Sequence, residues 1–285
     1  MEFQSLPTHT FVCGKYQLNL NRPHVMGIVN VTSDSFSDGG KYASTDLAVA
    51  HALTLIAEGA DILDIGGEST RPGATPVSLE NELKRVIPVL EALAKLSTVP
   101  LSIDTYKPQV MRDAIAAGAD IVNDIRALQE PDALKIVASS NAGVCLMHMQ
   151  GLPQTMQLDP RYDNVVEEVA QFLSNRRNVA VAHGIAQERI LLDPGFGFGK
   201  RTLHNIALIQ HLEKLTTIGQ PLLVGLSRKS VLGAIVGGGE QQRLHAGIAA
   251  SVISAMKGAK IIRVHDVKAT VDALKVVAAV MPTTD

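Results

Sequence analysis

One pattern constrains this chain more than any other. From residue 24 onward, short aliphatic runs alternate with longer amphipathic segments. The runs lie at 24–31, 62–65, 101–103, 121–122, 143–147, 190–192, 222–224 and 261–264. Continuous Val, Ile and Leu suit strands buried on both faces, as parallel strands are. The segments between them read as helices at 45–58, 78–95, 108–117, 132–139, 165–182 and 202–215, then one ending near 257 and a last at 267–280. Some carry boundary signals: Gly59 stops the first helix, Ser78 followed by Asn81 and Glu82 reads as an N-cap, and Pro108 suits a first turn. Eight strand–helix units in roughly 260 residues, with no linker dividing them, predict an α/β fold, a (β/α)8 TIM barrel. A doubly wound open sheet is the competing arrangement, and the lack of GxGxxG after the first strand weighs against it. Ahead of the barrel, FVCGKYQLNL at 11–20 reads as a hairpin turning at Gly14-Lys15. The expectation is one domain over 1–285.

Composition narrows the partners. Hydrophobic residues make up 46% and aromatics only 4%, with no Trp, so the core should be aliphatic. A net charge of −2 without long runs of one sign argues against nucleic-acid or membrane-surface binding, and leaves a compact anionic substrate open. Cys13 and Cys145 lack CxxC spacing and give neither a disulfide framework nor a zinc pattern, which suits a reducing compartment. Residues 1–10 lack a basic and an apolar region, so no secretory signal is read there. No apolar stretch approaches the roughly 18 residues of a membrane span. A soluble, cytosolic protein is the expectation.

In a βα barrel the site is built at the C-terminal strand ends. Taken in order, those ends carry Asn30; Asp64, leading through GGES to Thr70-Arg71-Pro72; Asp104; Asn123-Asp124; His148; Asp193; Ser227-Arg228-Lys229; and Arg263-Val264-His265. A lone Asp after a strand is ordinarily a solvated terminus. Polar groups on all eight ends make a site the better reading. Asp104, Asp193 and the Asn123 amide match paired N–H donors, as on a guanidine-like heterocycle edge. Arg71, Lys229, Arg263 and His265 form an opposite pole suited to phosphate oxygens, and a guanidinium can also stack on an aromatic ring. Asn30 offers an oxygen to Mg²⁺, which typically keeps waters and shares substrate phosphates.

Three other features stay open at this level. MGIVNVTSDSFSDGG at 26–40 is a buried strand running into a polar loop, and by itself is as readily a solvated turn. DPGFGFGK at 193–200 lacks the spacing and GK[ST] of a Walker A motif. It is either a phosphate cradle or a place where glycines let the backbone lie against a flat ligand. His51, His183, His204, His211 and His245 read as surface or structural residues. Either His148 lines a site or Met147 beside it presents an apolar wall to a ring; Asp64 is structural, and Gly237-Gly238-Gly239 is a loop tip.

MGIVNVTSDSFSDGG, GADILDIGGESTRPG, DPGFGFGK, SRKS and IIRVHDV occur in this order. Together they resemble the motifs of the dihydropteroate synthases, over about residues 25 to 267. The resemblance implies condensation of 6-hydroxymethyl-7,8-dihydropterin diphosphate with 4-aminobenzoate, giving 7,8-dihydropteroate and diphosphate in folate synthesis. It implies a cytosolic, Mg²⁺-dependent homodimer with small-molecule substrates and no nucleic-acid or membrane partner. By motif position, Thr70, Asp104, Asn123, Asp193 and Lys229 resemble the pterin pocket, with Met147 lining it and Arg263 stacking on the ring. Phe198, Gly225 and Val264 join the substrate contacts. Arg71 and His265 resemble diphosphate contacts, Asn30 the metal contact, and Phe36, Pro72, Ser227 and Lys229 the aminobenzoate pocket. Asp104, Arg71, Lys229 and His265 carry the implied catalysis, an SN1-like substitution under two closing strand-end loops. The resemblance also implies competition between sulfonamides and aminobenzoate. One departure is visible: after Arg243-Leu244 the family pattern has Gly then Ser or Thr, and this chain has His245-Ala246-Gly247, near the implied subunit contact. The rivals are a methyltetrahydrofolate-dependent methyltransferase on a related barrel and a non-catalytic pterin-binding paralogue.

Overall fold

A computed structural model describes residues 10–31, 41–69, 73–237, 239 and 243–280, without the side chains of 41–44. It opens with an antiparallel hairpin, β1 (Thr10–Cys13) and β2 (Tyr16–Asn19). The barrel follows as β3 (His24–Asn30), α1 (Lys41–Ala57), β4 (Ile62–Gly66), α2 (Leu79–Leu96), β5 (Leu101–Asp104), α3 (Pro108–Ala116), β6 (Ile121–Asp124), α4 (Ala133–Ala138) and β7 (Gly143–Met147). It continues with α5 (Val165–Ala182), β8 (Ile190–Asp193), α6 (Thr202–Gln210), α7 (Leu212–Thr216), β9 (Leu222–Val224), α8 (Ser230–Val236), α9 (Leu244–Met256), β10 (Ala259–Val264) and α10 (Val267–Val280). Neighbouring strands are parallel, and β10 closes the sheet against β3. The expected barrel is what the chain forms.

Two long helices of the sequence reading are each divided. The sixth breaks at His211, whose φ of −118° ends α6 before α7 starts. The seventh is split into α8 and α9, and Gly237 at φ +74° supplies the turn out of α8. The expected caps form. Ser78 Oγ accepts the Asn81 N–H at 3.3 Å, and Pro108 occupies the first turn of α3.

The core has two apolar layers. The outer one joins strand and helix faces, with Val29, Ile65, Ile103, Val122, Leu146, Leu192 and Val224 against residues such as Leu55, Leu90, Val110, Leu173 and Leu274. The inner one lies inside the barrel: Met26, Ile62, Ile121, Cys145, Leu191, Leu223 and Ile261, covered by Phe11, Cys13 and Leu20 of the hairpin segment. The hairpin thus plugs the barrel's N-terminal end. Contact there is close, since a Cβ on Gly143 would sit 2.5 Å from Phe11 Cζ. Polar groups therefore collect at the opposite end.

Candidate active site

Parallel pairing sets the strand ends side by side. Asn30 registers with Gly66, Gly66 with Asp104, Asp104 with Asn123, and Met147 with Asp193. Asp104, Asp124 and Asp193 stay in the ladder, so the strands run slightly longer than their aliphatic runs suggest. The alternation of the pleat then decides which side chains face the barrel axis.

Arg263, from β10, reaches across the mouth. Its Nε donates to Asp64 Oδ2 at 2.6 Å and its Nη2 to Asp104 Oδ2 at 2.7 Å. Asn123 Nδ2 donates to the same Asp64 oxygen at 3.1 Å. Asp64 Oδ1 and Asp104 Oδ1 are both buried without a hydrogen-bond partner among the described residues. A buried acceptor left open is costly in a native fold and marks a place where a donor arrives. Burial raises Asp104 to about 7; Arg263 opposes the shift, and Asp64 and Glu82 add to it. Burial also raises Asp193 to about 6, opposed by the Gly195 N–H and the cations Lys229, Lys200 and Arg263. Arg263 itself loses to burial but gains more from Asp64 and Asp104, and ends above its ordinary value.

Beside this cluster lies an apolar wall of Ile125, Met147, Met156 and Phe198. Lys229 Nζ stands 4.2 Å from the centre of the Phe198 ring. Gly225 lies against Arg263, with a would-be Cβ 3.7 Å from Arg263 Cβ. Ser227 Oγ pairs with His265 Nδ1 at 3.1 Å and accepts the His265 N–H at 3.3 Å. Arg228 sits at φ +60° and is ion-paired to Asp266.

Asn30 ends β3 and is exposed. Acidic and cationic poles thus share one mouth, with a greasy wall between them. That suits a flat, nitrogen-rich ring bearing an anionic tail.

The structure brings together Asp104, Asn123, Met147, Asp193, Phe198, Gly225, Ser227, Lys229, Arg263, His265 and Asn30 on the C-terminal rim. The Val264 side chain is buried in the outer layer among strand and helix side chains. Phe36, Thr70, Arg71 and Pro72 lie outside the described residues. The chain just before Thr70 is firmly held. Arg85 Nη1 donates to Gly67 O at 2.8 Å, and Lys107 bridges Glu68 and the buried Glu82.

Sequence reading undervalued Asp64, which here holds both Arg263 and Asn123. The signal was an Asp inside the aliphatic run ILDIG. Loop 193–200 is no phosphate cradle built on Lys200, because that side chain is buried and donates to Gly195 O and Phe198 O. His148 is likewise buried and meets Lys200.

The pterin binding enzyme family model matches residues 26–265. The dihydropteroate synthase of Escherichia coli strain K12 is 53% identical over 264 residues, which is 93% of this chain and 94% of that protein. The chain belongs to the dihydropteroate synthase family. A Yersinia pestis dihydropteroate synthase solved with a sulfonamide drug superposes with a TM-score of 0.90 at 51% identity, covering 95% of this chain and 98% of that one. A Xanthomonas albilineans family structure with 4-aminobenzoic acid gives 0.90 at 52% identity, over 96% and 99%.

Proposed function

We infer that the chain, as a single pterin-binding barrel domain, makes 7,8-dihydropteroate from 6-hydroxymethyl-7,8-dihydropterin diphosphate and 4-aminobenzoate. The observation that carries the reading is the Asp104 carboxylate, buried in the mouth with one oxygen on Arg263 and the other open. With Asn123 and Asp193 it offers acceptors to the N–H edge of a pterin, while Met147 and Phe198 give the ring an apolar bed. Arg263, with Gly225 beside it, offers a guanidinium face to the same ring. The Val264 backbone adjoins this pocket.

The chemistry follows from charge. The methylene C–O bond to diphosphate breaks, and positive charge grows on the pterin methylene while negative charge leaves with the diphosphate. Asp104 stabilises the cation. His265, Lys229 and Arg71 meet the departing anion. The aminobenzoate nitrogen then forms the C–N bond and loses a proton. Ser227 and Lys229, with Phe36 and Pro72, supply its pocket, and Thr70 joins the pterin contacts. No enzyme nucleophile is needed.

For Mg²⁺, the exposed Asn30 at the end of β3 offers one carboxamide oxygen, which fits an ion carried mainly by water and substrate oxygens. When bound, the ion would neutralise diphosphate charge, and Asn30 would be its protein contact.

Exposed Ile235 and Val236 on α8, with Leu244, Ile253 and Met256 on α9, support a homodimer. No helix among the described residues is long and apolar enough to cross a membrane. Both cysteines are free and buried, which supports a cytosolic location.

The test mixes both substrates with Mg²⁺ and follows diphosphate and dihydropteroate. Stoichiometric release of both is expected. Folded, pterin-binding protein that releases no diphosphate would instead be a non-catalytic paralogue, and methyl transfer from methyltetrahydrofolate would make it the rival enzyme.

A further inference from the structure

The side chain that the site chemistry leaves unused is Lys200. It closes loop 193–200, yet it is only 2% exposed and turns inward. Its Nζ lies 2.9 Å from Gly195 O, 3.0 Å from Phe198 O and 2.8 Å from His148 Nδ1, with His148 O farther off at 3.4 Å. An ammonium gives one N–H to each carbonyl and one to His148 Nδ1; burial lowers Lys200 to about 7, against the pull of Asp193, and above that pH the neutral amine gives its two N–H groups to the carbonyls and accepts from His148 Nδ1. Facing the ammonium, His148 accepts at Nδ1 and carries its own proton at Nε2. Burial and the neighbouring Lys200 charge lower His148 to about 2, so its ring stays neutral.

The carbonyls held by Lys200 belong to the residues that shape the ring pocket. Gly195 is gripped at both ends of its peptide groups, its N–H by Asp193 Oδ1 at 2.7 Å and its C=O by Lys200. Phe198 is held by its carbonyl from below, while Lys229 stands over its ring. The turn also leaves no room for other residues. Gly195 is at φ +67° with a would-be Cβ 1.9 Å from His148 O, and Gly199 at φ +62° has one 2.3 Å from Gln150 O. A backbone folded this tightly points its carbonyls inward, and Lys200 is what meets them.

We propose that Lys200 is a positioning residue for pterin recognition: an internal amino group, hydrogen-bonded to His148 and to the Gly195 and Phe198 carbonyls, that sets Asp193 and Phe198 for the ring without touching substrate. The proposal rests on the function inferred above. Its test compares Lys200→Met with Lys200→Arg and the unaltered protein, using 6-hydroxymethylpterin as the binding probe and steady-state kinetics in each substrate. Lys200→Met should bind the probe at least tenfold more weakly and raise the KM for pterin diphosphate to match, with the aminobenzoate KM moved less than threefold. Lys200→Arg should recover part of the loss. A cooperatively folded Lys200→Met protein with unaltered probe affinity would overturn the proposal, as would equal rises in both KM values.

Nitrogen NMR of His148 in the unaltered protein gives a readout that needs no variant. At pH 6 an unprotonated Nδ1 and a protonated Nε2 are expected, and the reverse tautomer or an imidazolium at that pH would sink the arrangement. That spectrum judges the Lys200–His148 pair even if no turnover is found, so failure here and failure of the enzyme assignment are told apart.

Discussion

The two ends of the barrel are made from the same strands and have opposite chemistry. At the N-terminal end, Met26, Ile62, Ile121, Leu191, Leu223 and Ile261 pack under Phe11 and Leu20. At the C-terminal end, β4, β5 and β8 carry Asp64, Asp104 and Asp193, and β10 carries Arg263. The first arrangement gains free energy by removing apolar area from water, about 1.5–3 kcal/mol for each large side chain fully buried. The second spends part of that gain holding charges out of water, which repays only where each charge has a partner. The lesson is that stability and function are set in different layers of one barrel, a few residues apart on each strand.

The sharpest way to break this division is Arg263→Ala. It leaves Asp64 and Asp104 facing each other without the cation that separates them. Unfolding by denaturant should show a loss of about 3–5 kcal/mol, the usual cost of stranding a buried charge, and turnover should fall at least ~1000-fold. Next comes Phe11→Ala at the closed end. It should cost about 3–5 kcal/mol in the same unfolding assay and leave both KM values unchanged. A change in pterin KM there would show that the two ends are coupled.

Asp104→Asn is gentler on the fold and should lower kcat/KM on the order of 100-fold, about 2.7 kcal/mol. It also tests the pH behaviour. A carboxyl raised in the folded state to about 7 stabilises the fold fully at pH below its unfolded value, and that stabilisation is lost as pH rises through the folded one. Between about pH 4 and 7 the unaltered protein should therefore lose stability relative to Asp104→Asn as pH rises. Parallel curves would show that Asp104 stays ionised throughout. Asn30→Ala should have the smallest effect, roughly a tenfold weakening of diphosphate binding, seen only with Mg²⁺ present. The same loss without Mg²⁺ would take Asn30 off the metal.

Much of this was legible in residues read one after another. Aliphatic runs of strand length separated by amphipathic segments leave few options but a parallel sheet, and their number matches a closed barrel, because local hydrophobic periodicity reports directly on which faces are buried. The polar strand ends Asn30, Asp104, Asn123, Asp193 and Arg263 were visible for the same reason, as breaks in an apolar pattern. Asp64 and Lys200 were not assigned their partners. Their roles depend on contacts between distant parts of the chain: Asp64 with Arg263 across 199 positions, and Lys200 with His148 across 52. The sequence by itself determined the barrel, its polar rim and its apolar base. Which charge meets which, which Lys faces the ligand and which lies beneath it, and which side of β10 is the mouth were decided only when the sheet closed, because closure is what brings the first and last strands within hydrogen-bonding distance.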